Sequence, residues 1–191
     1  YSYGVDVNNS DVSEFEAQYA NVAINEAIRL KENATPAELS LIEAAAFRAV
    51  YPLPKDRTEI DLSYSQAMSR AWDAHQDDPD IGAMYAESLM NMQRWDYWGA
   101  DGEPLKNTEK LLSVLDDAMA LNNFHPGANH FYIHAIEASK TPEKGIPSAE
   151  RLKALVPGSG HLVHMPSHIF VNVGRYAEAV SANQRAIDAD A

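Results

Sequence analysis

Two histidine pairs of the form His-x-x-x-His, His130/His134 and His164/His168, stand 34 residues apart in this chain. A fixed period of that size marks helix-turn-helix units stacked side by side. On a helix, residues four apart share a face, so each pair projects two imidazoles in one direction. Repetition at the period of the units then sets the pairs next to one another, and four histidines are expected to converge.

The rest of the chain agrees with a helical reading. Apolar residues recur at helical spacing in segment after segment, strand-like alternation is scarce, and the single Asp-Gly, Asp101-Gly102, lies in a Trp-rich stretch. The pattern predicts helices over 12–32, 37–51, 58–76, 80–93, 105–122, 127–139, 143–156, 161–173 and 175–190. Pro36, Pro52, Pro54, Pro79, Pro104, Pro126, Pro142 and Pro157 fall at or beside the junctions, where a missing amide proton does least harm. Short links of this kind imply antiparallel neighbours.

In the last segment Phe170, Gly174, Tyr176, Ala179 and Ala186 are spaced as in a tetratricopeptide unit, and the segment resembles that family. The preceding unit repeats the layout at the same offset, with Ile136 matching Phe170, Gly145 matching Ala179, Leu152 matching Ala186, and Pro157 closing the unit. Further back, Ala86 and Leu89, then Tyr64, Met68 and Ala71, suit the packing faces of earlier, degenerate repeats, and Tyr85, Tyr132 and Tyr176 are spaced as packing residues. Residues 125–135 and 160–169 also resemble a set of bacterial tetratricopeptide-like proteins that largely lack an assigned activity, a likeness that transfers no reaction. The resemblance implies an all-α fold, a right-handed α-α superhelix of about four units built from antiparallel helix pairs, as one repeat domain over residues 1–191. The apolar end of such a solenoid needs a cap, so flanking sequence, self-association or a modified terminal helix is expected to cover it. The chain starts at Tyr1 rather than Met and carries no signal segment, so a processed or partial chain is the expectation.

Composition narrows the function. Twenty-eight acidic against fifteen basic residues give a formal charge of -13, which repels phosphate backbones, so nucleic acid is not an expected partner. No apolar run approaches the ~20 residues of a membrane span, so a soluble protein is expected; the compartment stays open. With no cysteine, a transition-metal site must be built from His, Asp and Glu.

The first helix of every tetratricopeptide unit lines the concave groove, and the resemblance implies that His130, His134, His164 and His168 occupy its inward-facing positions. His161 precedes His164 by one turn and Glu137 follows His134 by three residues, which makes His130/His134/Glu137 and His161/His164/His168 the candidate stripes. By the same register Glu87 falls where His134 and His168 do. Imidazole and carboxylate without thiolate suit an open site for a divalent transition metal, with zinc or copper favoured. Such a site supports Lewis-acid chemistry; whether the chain is an enzyme is left open. His-Glu-x-x-His is absent, which disfavours a peptidase. Pro166 requires the second helix to begin near 161–163, leaving His161 at the cap, below the other four in rank.

Each motif has a plainer reading. Helical histidine pairs commonly cap, pack or bond the backbone. His125 reads as an exposed or capping residue, and His75 as a helix-end residue beside Asp77 and Asp78. Trp95, Tyr97 and Trp98 read as core filling rather than a lid, and the Asp96–Glu103 stretch lacks the spacing of a calcium loop. The alternative function is a scaffold whose groove takes a peptide or partner helix, with histidines as pH-sensitive contacts.

Overall fold

Small polar residues followed by proline, or by glutamate three positions on, start several helices. In the computed structural model, which describes residues 7–9 and 11–191, Ser13 and Glu16 form a reciprocal cap at the head of α1 (Glu14–Leu30), and Thr35 and Glu38 do the same for α2 (Pro36–Arg48). Each such box satisfies amide donors that the first turn leaves unpaired. After α3 (Thr58–Ala74), Asp78 accepts from the amides of Asp80 and Ile81 to open α4 (Pro79–Asn91). Proline at the first helical position costs no hydrogen bond, since its amide would have had no partner.

These four helices lie in the first of two compact units, which ends at Arg94, and each packs on its neighbour in the chain. Tyr64, Met68 and Ala71 of α3 and Ile81, Ala86 and Met90 of α4 are buried. Beneath them Arg48 pairs with Glu87 at 3.5 Å, and Asn91 donates to the same carboxylate.

The second unit, Trp95–Ala191, holds α5 (Thr108–Leu121), α6 (Pro126–Ile136), a 3-10 turn over Pro142–Gly145, α7 (Ile146–Leu155), α8 (Gly160–His164), α9 (Pro166–Asn172) and α10 (Tyr176–Asp190). Here α5 packs on α6, α6 on α7, α7 on α9, and α10 on both α8 and α9. The unit's core joins Ile133 and Ile136 of α6, Ala149 and Leu152 of α7, Met165, Ile169, Phe170 and Ala179. Phe170 has no exposed surface, and its ring carries the Arg175 guanidinium at 4.3 Å and the Lys153 ammonium at 4.7 Å. Gly174, at φ +77°, turns the chain, and the Arg175 amide closes the end of α9 by donating to the Phe170 carbonyl at 2.8 Å.

The described residues are all-helical in pattern, with one isolated bridge between Trp98 and Pro104 and no helix long and apolar enough to cross a membrane. Three local expectations change. The predicted helix over 161–173 is two, because Pro166 has no amide to donate and interrupts the ladder after His164. The helix predicted from 105 begins at Thr108, because Lys106 sits in the left-handed region at φ +45°. Tyr176, read as a packing residue, is 65% exposed, since no described element covers that face of α10. In the Trp-rich stretch Tyr97 is buried and the Trp98 indole donates to the Ala135 carbonyl at 2.7 Å, so these two rings do fill core.

Deleting the Phe170 ring should cost about 3–5 kcal/mol of stability, the usual range for emptying a large buried aromatic site. Chemical denaturation of Phe170→Ala measures this directly. A loss below about 1 kcal/mol, typical of surface substitutions, would mean that the ring is not part of the core.

Candidate metal centre

The site is assembled from the starts and ends of α6, α8 and α9. His125 caps α6: its Nδ1 accepts from the Ala128 amide at 3.0 Å and the residue is buried, so it is a cap without being exposed. The helix then carries His130 and His134 one turn apart, with ring centroids separated by 4.9 Å and exposures of only 6% and 4%. Ser159 takes the cap position of α8. His161 therefore lies inside the first turn, where its Nε2 comes to 3.0 Å from His130 Nε2. One ligand atom from each of His130, His134 and His161 falls within 4.8 Å of the others.

Glu137, at the C-terminus of α6, links this trio to α9. One carboxylate oxygen accepts from His134 Nδ1 at 3.0 Å and the other from His168 Nδ1 at 2.5 Å. His134, Glu137 and His168 form a second grouping with potential ligand atoms within 4.8 Å. Beyond it His168 Nε2 faces His164 Nε2 at 2.8 Å, and His164 Nδ1 lies 2.6 Å from Asn183 Oδ1 on α10. Over the trio, the exposed ring of Trp95 meets His134 edge-on at 5.0 Å between centroids.

The electrostatics sort the groups by charge. Burial, reinforced by the neighbouring rings of His134, His161 and His168, holds His130 well below the ordinary imidazole value, so its ring is neutral near pH 7. Burial alone would raise Glu137, but hydrogen bonds from His134 and His168, with their charge, outweigh it and bring the carboxyl down to about 2. An ionised Glu137 is acceptor-only, so both histidines present a proton to it through Nδ1. The Nε2 of His134 is then the free nitrogen; it is buried and without a hydrogen-bond partner.

Of the residues singled out in the sequence, His130, His134, His161, His164, His168 and Glu137 meet in the second unit. They form an inner trio and an outer pair joined by Glu137, rather than one pocket of four. Neither ligand grouping among the described residues includes Glu87, which lies in the first unit against Arg48 and Asn91. His75 ends α3 and meets Ser40 Oγ at 3.1 Å. Asn183 was missed by sequence reasoning. It follows His164 by 19 residues on a different helix, and no periodic pattern marks it.

Acidification should destabilise the metal-free protein in two steps. With His130 lowered in the folded state, the unfolded chain binds more protons below about pH 6.5, so stability falls as pH drops through that value. Glu137 contributes stability above its ordinary value of 4.5, and this is lost as pH falls towards about 2. Thermal unfolding with chelator present, compared at pH 7.5 and 5.5, should therefore show a smaller decline for His130→Gln than for the parent; equal declines would contradict the burial argument.

No known family profile and no curated protein matches the sequence. Solved structures do. MamA AMB-1 aligns over 91% of this chain and 94% of its own at 14% identity with a TM-score of 0.59. MamA MSR-1 aligns over 91% of each chain at 13% identity with a TM-score of 0.57. YrrB, described as a TPR protein with an unusual peptide-binding site, aligns over 93% of this chain and 86% of its own at 13% identity with a TM-score of 0.58. With its helices packed in neighbouring pairs, the chain has the tetratricopeptide-like, all-α solenoid fold.

Proposed function

We propose that this tetratricopeptide-like protein holds a divalent transition metal through His130, His134 and His161. The observation that carries the reading is His134 Nε2, a buried acceptor with no hydrogen-bond partner on a ring whose other nitrogen is tied to Glu137. Leaving such a group unsatisfied costs about 1–3 kcal/mol, and a bound cation removes that cost. The spacing supports it: His130 and His161 Nε2 stand 3.0 Å apart, within the span that one ion bridges with bonds of about 2.0–2.1 Å. Glu137 plays the part of the carboxylate that orients a ligating histidine and raises its basicity. An all-imidazole set suits zinc or copper. Three protein ligands leave a fourth position for water or substrate, the arrangement that supports Lewis-acid activation.

A second reading, a protein or peptide partner, is favoured by α10. Tyr176, Val180 and Ile187 are 65%, 68% and 63% exposed and recur at helical spacing along one face. The peptide-binding site named for YrrB supports the same reading.

Elemental analysis of untagged protein tests the metal reading. His134→Ala and His161→Ala should each lose one equivalent of metal, and chelation should lower the melting temperature of the parent, because an ion bound only by the folded state stabilises it by about 2.7 kcal/mol at a hundredfold excess over Kd. Metal content unchanged in both variants would refute it.

A further inference from the structure

We propose that His164 and His168 form a second, outer metal position, distinct from the inner trio and suited to an ion that prefers cis nitrogens in a tetragonal field, such as Cu(II) or Ni(II). The argument begins with where the ring protons lie. Asn183 Oδ1 only accepts, so the 2.6 Å contact requires the proton on His164 Nδ1; Ser167 Oγ, at 3.3 Å, flanks the same nitrogen. The Glu137 carboxylate likewise requires the proton on His168 Nδ1. With Nδ1 of each ring engaged in this way, the two Nε2 atoms face one another, 2.8 Å apart. Nitrogens so placed share either one proton or one metal ion, and the metal form uses both lone pairs.

The distance also selects the ion. With imidazole–metal bonds of about 2.0 Å, nitrogens 2.8 Å apart subtend roughly 90° at the metal. That is the angle of cis ligands in a square-planar or tetragonal complex, the geometry of Cu(II) and Ni(II), and is narrower than a tetrahedral ion prefers. Helical spacing of the two residues supplies the shared direction, and each ring is held from behind by an acceptor that fixes its tautomer, one on α6 and one on α10. His164 and His168 line a depression of about 530 Å³ together with Tyr176, Val180 and Asn183. Water or a small ligand can therefore reach an ion held there, whereas His130 and His134 of the inner trio are buried.

Titration of the full, untagged apoprotein with Cu(II), read by equilibrium dialysis and electron paramagnetic resonance, tests this site separately from the inner one. Two equivalents are expected for the parent and one for His164→Ala, with circular dichroism confirming an unchanged helix content. His134→Ala should keep one equivalent, giving an axial spectrum with coupling to two nitrogens, and adding His164→Ala should abolish it. Asn183→Ala, which removes only the acceptor behind His164, should weaken the outer site by about 10–100-fold. If His164→Ala takes up as much copper as the parent, the outer site is overturned and the inner one stands. If His134→Ala takes up as much as the parent while His164→Ala does not, the inner site falls and the outer one stands. No uptake by the parent overturns both.

Discussion

The Glu137 carboxylate is the contact on which the arrangement of imidazoles depends. Its two oxygens receive His134 Nδ1 and His168 Nδ1, residues at equivalent places in successive repeats, so one side chain ties α6 to α9 and sets both tautomers together. Because the carboxylate is charged and half-enclosed by its two donors, each ring is forced to present Nε2, one towards the inner trio and the other towards His164.

Around that contact, packing decides which histidines meet. The core formed by Ile133, Leu152, Ile169 and Phe170 presses α6, α7 and α9 together, and helices locked at their apolar faces have little freedom to move their polar ones. The cost of bringing polar rings inside is offset unevenly. His130 stays neutral and leans on His161, His164 and His168 find acceptors, and His134 keeps one nitrogen unsatisfied. That nitrogen sits beside His130 and His161, where a shared ion would satisfy it.

Much of this was legible in the sequence, for reasons that can be stated residue by residue. The prolines at the helix junctions, Pro36, Pro79 and Pro126 among them, and the turn at Gly174 act through local geometry and need no distant contact. The division of the last long helix was less legible. Pro166 was recognised as disruptive, but the chain starts its helix at Gly160 and breaks at Met165–Pro166 instead of moving the helix start, which brings His161 from a cap into the inner trio. Glu87, which register placed with the histidines, pairs with Arg48 and accepts from Asn91 within the first unit.

The sequence by itself determined the helical fold class, the repeat period and the pairing of His130 with His134 and of His164 with His168, because periodicity and helical spacing are properties of the chain alone. Only the tertiary structure decided that the rings sort into an inner trio and an outer pair, that Glu137 stands between them, and that Asn183 fixes His164. Those contacts join residues separated by 19 to 31 positions, and their distances follow from how helices seat against a shared core, which no local pattern encodes.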